Sequence, residues 1–151
     1  MTELFEERAG PSYRCPVCDV TLAVEPALPT YDTPCPDCGY RLWCRKRKVD
    51  DVVFLCVLPD RTPEAADIER LAESLVRSCR VLRVVVDLSG LDFINSAMMA
   101  GLLALRKRVL AAKGRLVLCG LSPHVQTIFS HTRIDSLFEI VDAATDAVST
   151  L

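Results

Sequence analysis

The 151-residue chain is short of net charge, of histidine and of long apolar runs, and each shortage removes a class of function. Its 18 basic residues against 20 acidic ones leave a formal charge of −2, which argues against bulk nucleic-acid binding by net electrostatics. No apolar run approaches the roughly 18 residues that a membrane span needs. The first residues, MTELFEERAG, are acidic and lack the basic, then apolar, layout of a signal peptide. Neither G-x-x-x-x-G-K-[ST] nor G-x-G-x-x-G occurs to cradle nucleotide phosphates. His124 and His131 are the only imidazoles, and both fall on or near one expected helix as surface residues. Catalysis requires a nucleophile, a base and an electrostatic stabiliser that converge. No catalytic residue is assigned, and the chain is expected not to be an enzyme.

Cysteine, by contrast, is abundant. Eight cysteines without an export signal indicate a reducing compartment and thiolate chemistry, so a cytoplasmic protein is expected. Four of them, Cys15, Cys18, Cys35 and Cys38, form C-x2-C-x16-C-x2-C, a spacing suited to a four-cysteine structural zinc site. Each pair must sit on a tight turn for its thiolates to converge, and Pro16, Pro36 and Gly39 fit such turns. A unit of about 35 residues cannot bury enough core to fold alone, so a metal would supply the missing stability. The two knuckles resemble a zinc ribbon, placed at residues 13–47 after a polar lead-in over residues 1–12. The proline-rich stretch between them suits an extended excursion. Iron in a rubredoxin-like site is the metal alternative, and a pair of redox dithiols or plain buried thiols the non-metal ones. Cys44, Cys56, Cys79 and Cys119 lie in apolar contexts and read as packed thiols.

The one concentrated basic run is Arg45, Lys46, Arg47 and Lys48. It could contact phosphates or an acidic protein face, but a solvated hinge between domains is the favoured reading. Over residues 1–48 acidic and basic side chains balance at seven each, which weakens a nucleic-acid role. The domain boundary is placed just after the run, with a second domain over residues 49–151.

That second domain alternates strand and helix. Strands are expected over 52–58, 81–88, 115–119 and 137–141. Helices are expected from Thr62 as cap with Pro63 at its first position, over 96–113, from Ser122-Pro123 to about Ser130, and after Asp142. Such alternation demands a mainly parallel sheet, an α/β fold. Its organising stretch is residues 84–105: a β-branched strand, a break at Ser89-Gly90, an apolar loop, then helix formers. Asn95 is the expected N-cap, which leaves the Ser96 hydroxyl in the first helical turn. A phosphate placed there would be stabilised by free backbone N–H groups and the helix dipole.

The run Asp87-Leu88-Ser89-Gly90-Leu91-Asp92-Phe93-Ile94-Asn95-Ser96 resembles the signature of STAS domains, the fold of bacterial anti-sigma factor antagonists. In that family it runs D-L-S-x-x-x-F-[I/M/L]-D-[S/T]-[S/T/A]-G-L, and a partner kinase phosphorylates the hydroxyl residue after the second Asp. Ser96 holds that position here, with Asn95 in place of the acidic residue and Met98 in place of the glycine. The likeness spans about 100 residues, including the segments that start at Leu121 and Ile134, and it aligns Asp60 with an acidic residue of the family's first turn. It implies a STAS-like mainly parallel sheet, with the zinc-ribbon unit in front of it. It also implies a non-enzymatic regulator, phosphorylated at Ser96, that binds an anti-sigma factor or switch kinase. The contact face would be Asp92, Phe93, Ile94, Asn95 and Ser96, with Met98 and Met99 beside them. Two other readings stay open: a zinc-ribbon nucleic-acid-binding protein with a STAS sensing or oligomerising domain, and a STAS subunit of a membrane transport system.

Overall fold

The computed structural model describes residues 14–22, 34–49, 51–58, 61–143, 146–148 and 151. The lead-in, the excursion between the knuckles and Asp60 lie outside the described residues.

Five strands form one sheet: β1 (Cys44–Val49), β2 (Val52–Val57), β3 (Arg83–Asp87), β4 (Arg115–Cys119) and β5 (Glu139–Val141). They lie side by side in chain order, β1 antiparallel to β2 and every other pair parallel. The helices are α1 (Ala65–Ser78), α2 (Ser96–Ala111) and α3 (Pro123–His131), and a 3-10 turn over Ile134–Ser136 precedes β5. No described helix is long and apolar enough to cross a membrane. The fold is thus the mainly parallel α/β sheet that the alternation demands.

Central strands need apolar residues on both sides, and β3 supplies them: Val84, Val85 and Val86 are all fully buried. Val84 and Val86 face the larger core with Val53, Leu55, Leu116 and Leu118, beneath Leu71, Leu75, Leu102 and Leu105 of the helices. Val85 points the other way, with Phe54 and Val117, toward Ala147 near the C-terminus. α1 and α2 meet closely at Gly101, where a Cβ would stand 3.1 Å from the Pro63 ring.

Two expectations need correction. The basic run is not a solvated hinge but most of β1. Lys46 and Arg47 are buried, Lys46 pairs with Asp19 at 2.9 Å, and the Arg47 guanidinium stacks 5.0 Å from the Phe54 ring centre. The boundary placed at residues 48–51 therefore falls in the turn between two paired strands, Val49 opposite Val52. Nor does α1 start at Thr62. Its N-cap is Glu64, whose N–H donates to the Asp67 carboxylate at 2.9 Å, and Pro63 is spent on packing instead.

Candidate functional site

The knuckles are two copies of one turn. In the first, Cys15 N–H donates to Val20 O and Asp19 N–H to Cys15 O; in the second, Cys35 N–H donates to Tyr40 O and Gly39 N–H to Cys35 O. Asp19 and Gly39 occupy the same place in each and share a left-handed backbone, φ 69° and 76°. The four Sγ atoms come within 4.8 Å of one another, with Cys15 to Cys38 at 3.7 Å and Cys18 to Cys35 at 3.5 Å. Four thiolates at about 2.3 Å from a tetrahedral ion stand about 3.8 Å apart, so the cluster has the dimensions of a metal centre and not of disulfides. Backbone N–H groups point at the sulfurs, Val17 to Cys15 at 3.4 Å and Asp37 to Cys35 at 3.4 Å. Burial pushes the Cys15 thiol up. At Cys35 burial pushes the same way, but the N–H groups of Cys38 and Asp37, with the neighbouring thiols of Cys18 and Cys15, together outweigh it and hold the thiol down at about 7. These donors favour thiolate, the form that ligates metal.

This unit is bonded to α1. Ser74 Oγ donates to Val17 O at 2.6 Å, Arg70 donates to Cys38 O at 3.3 Å, and Tyr40 OH donates to Asp67 O at 2.8 Å. Trp43 Nε1 donates in turn to Tyr40 OH at 2.8 Å. Of the remaining thiols, Cys44 and Cys119 are buried, and burial raises Cys119 to about 12 and Cys44 well above the usual range. Both are packed groups. Cys56 and Cys79 are half-buried.

The second site is the loop that leads into α2. Asp87 Oδ1 accepts from Ser89 N–H at 3.0 Å, a turn that ends β3. Ser122 Oγ donates to Asp92 O at 3.5 Å and bridges the loop to the start of α3. Asn95 is the N-cap, its Oδ1 accepting from Met98 N–H at 2.7 Å. Ser96 is the first residue of α2, and its side chain is exposed. Asp92 and Asn95 are also exposed, Phe93 stands 58% open, and Met99 is half-buried. Ile94 and Met98 are core residues at 5% and 3% exposure, so they underlie the expected contact face rather than form it. His124 and His131 are exposed on α3.

A cavity of about 140 Å³ lies behind this face, between the loop and the residues that precede α1. Arg61 and Thr62 line it together with Asp92, Asn95 and Met98. Sequence reasoning missed Arg61: a single arginine between a strand and a helix belongs to no motif and no period.

The STAS domain family profile matches residues 49–147. BtrV of Bordetella bronchiseptica, a candidate anti-sigma factor antagonist, is 32% identical over 98 residues, 64% of this chain and 83% of that protein. Among solved structures, a candidate anti-sigma factor antagonist from Thermotoga maritima superposes with a TM-score of 0.61 at 20% identity, over 70% of this chain and 91% of that one. An anti-sigma-factor antagonist (STAS) domain protein from Planctomyces limnophilus gives 0.57 at 20% identity, over 71% of this chain and 96% of that one. The chain belongs to the STAS domain family.

Proposed function

We propose that this protein is a non-enzymatic cytoplasmic regulator of the anti-sigma factor antagonist type, which binds an anti-sigma factor or switch kinase through the loop and first turn of α2. The observation that carries the reading is the exposed Ser96 hydroxyl at the start of a capped helix, next to an exposed Phe93. The likeness to BtrV supports it. A phosphate on Ser96 would add about −1.5 to −2 charges to that face, tolerated by the helix dipole but not by an apolar contact. Asn95 retains the cap without the family's negative charge, and the form with Ser96 unmodified is the one that binds. Incubation with the anti-sigma kinase encoded by the same organism, followed by intact-mass analysis, tests the switch. One phosphate is expected on the wild type and none on Ser96→Ala.

The cysteine cluster holds a structural zinc ion in this reading, bound by Cys15, Cys18, Cys35 and Cys38, which keeps the knuckles folded against α1. Elemental analysis should find about one zinc per chain, and Cys35→Ser should lose it. The nucleic-acid alternative is the weaker reading, because Lys46 and Arg47, two of the four cations of the basic run, are buried within β1.

A further inference from the structure

The knuckles reach the Ser96 loop through one short segment, residues 61–63. Among the described residues these three make no backbone-to-backbone hydrogen bond, and their polar ties run to the end of the second knuckle. Arg61 Nη1 donates to Leu42 O at 3.1 Å. Arg41 Nη2 donates to Thr62 O at 3.3 Å and to the Asp67 carboxylate at 3.0 Å. Arg41 is itself paired with Pro34 across the second knuckle, so its place follows that of Cys35 and Cys38. Arg61 is 6% exposed, and Leu42 O is its one acceptor among the described residues. A buried guanidinium stripped of its acceptor is costly enough to turn out to water. On its other side the segment backs the Ser96 face. The Pro63 ring closes on Gly101 of α2, and Arg61 and Thr62 share the walls of one cavity with Asp92, Phe93 and Asn95.

We infer that metal occupancy of the four-cysteine site controls the order of the Ser96 face, with residues 61–63 as the coupling element and Arg61 and Arg41 as its positioning residues. The inference rests on the zinc site and the partner face proposed above, and adds a second input that does not involve phosphate on Ser96. When Cys35 and Cys38 are not drawn together with Cys15 and Cys18, Arg41 and Leu42 lose their fixed place. Arg61 then loses Leu42 O, turns its charge to water and takes Thr62 and Pro63 with it. Gly101 loses the Pro63 ring, the shared cavity opens, and the loop over Asp92 to Ser96 loses its backing. The element has two discrete states, a bonded buried guanidinium or a hydrated one, which is what a physical coupling needs. The interior of the sheet is not on this route, since Val84, Val86, Leu116 and Leu118 pack among themselves and the helices. Coupling of this kind is reciprocal, so a partner that selects the ordered loop also tightens the hold on the metal.

The test is amide hydrogen exchange of the unphosphorylated full-length protein, zinc-loaded and after removal of the metal by a chelator. Stripped protein should exchange about tenfold faster over residues 61–64 and 91–99, with the strands over 84–86 and 116–118 unchanged, and added zinc should restore it. Arg61→Gln should still bind zinc by elemental analysis, yet exchange fast over 91–99 whether loaded or stripped. Arg41→Gln makes the same test if Arg61→Gln fails to fold. Affinity for the anti-sigma factor of the same organism should fall about fivefold or more on stripping. Equal exchange over 91–99 in the loaded and stripped forms would overturn the inference and leave the zinc site standing. Loss of protection in the strands as well would also overturn it, because the metal would then hold the whole core. Protein that takes up no zinc would refute the metal site and the inference together. If neither form binds the anti-sigma factor, the partner face is refuted, and the exchange over 91–99 still decides the coupling.

Discussion

At the scale of single residues, caps and close approaches make the sharpest predictions. Asn95→Ala removes the bond to Met98 N–H and should cost about 1 kcal/mol, seen as a lower thermal midpoint. Ser96→Asp touches no packed surface and should keep or raise stability, by about 0.3–1 kcal/mol near a helix N-terminus. A Ser96→Asp protein that melts several degrees lower would mark the hydroxyl as structural. Gly120 offers a second test, at the turn that ends β3. Its φ is +73°, and a Cβ there would lie 2.7 Å from Asp87 Oδ1, the atom that closes the turn after β3. Gly120→Ala should therefore cost more than about 1 kcal/mol, because neither the backbone nor the carboxylate can yield without loss.

At the scale of elements, the knuckles and α1 depend on one another. Trp43 is the only tryptophan in the chain, is 2% exposed, and hangs from Tyr40, which hangs from α1. Removal of metal by a chelator should loosen the knuckles and shift Trp43 emission to the red, and zinc should restore it. An unchanged spectrum in metal-free protein would show that the packing holds without the ion. Protons compete with a metal for cysteine sulfur, so affinity for the proposed zinc should fall as pH is lowered. What the sequence discloses at this scale depends on how local the cause is. Asn95 and Ser122 are legible as caps because capping is settled within four residues. The cysteine spacing is legible for the same reason, each knuckle being a self-contained turn. β1 is not legible, because Lys46 and Arg47 become strand residues only through Asp19 and Phe54, partners supplied by tertiary structure. Ile94 and Met98 are likewise apolar letters whose burial is decided by how α2 rolls against the sheet. Arg61 shows no pattern at all until the cavity exists around it.

At the scale of the whole molecule, the sheet is expected to fold without the knuckles, which dock on it through α1. A fragment of residues 44–151 keeps all five strands and should melt cooperatively. One of residues 49–151 lacks β1, leaves β2 as an open edge, and should fold but melt lower. Failure of both fragments beside a cooperative full chain would make the knuckles part of one indivisible core. The central claim, that the Ser96 face is where a regulatory partner binds, is tested most directly by the affinity of the purified protein for the anti-sigma factor of its own organism, wild type against Ser96→Asp, with both proteins shown to melt alike. The expected result is a complex that Ser96→Asp weakens at least tenfold, through charge placed beside Phe93. Equal affinity of the two proteins for that partner would contradict it and put the interface elsewhere.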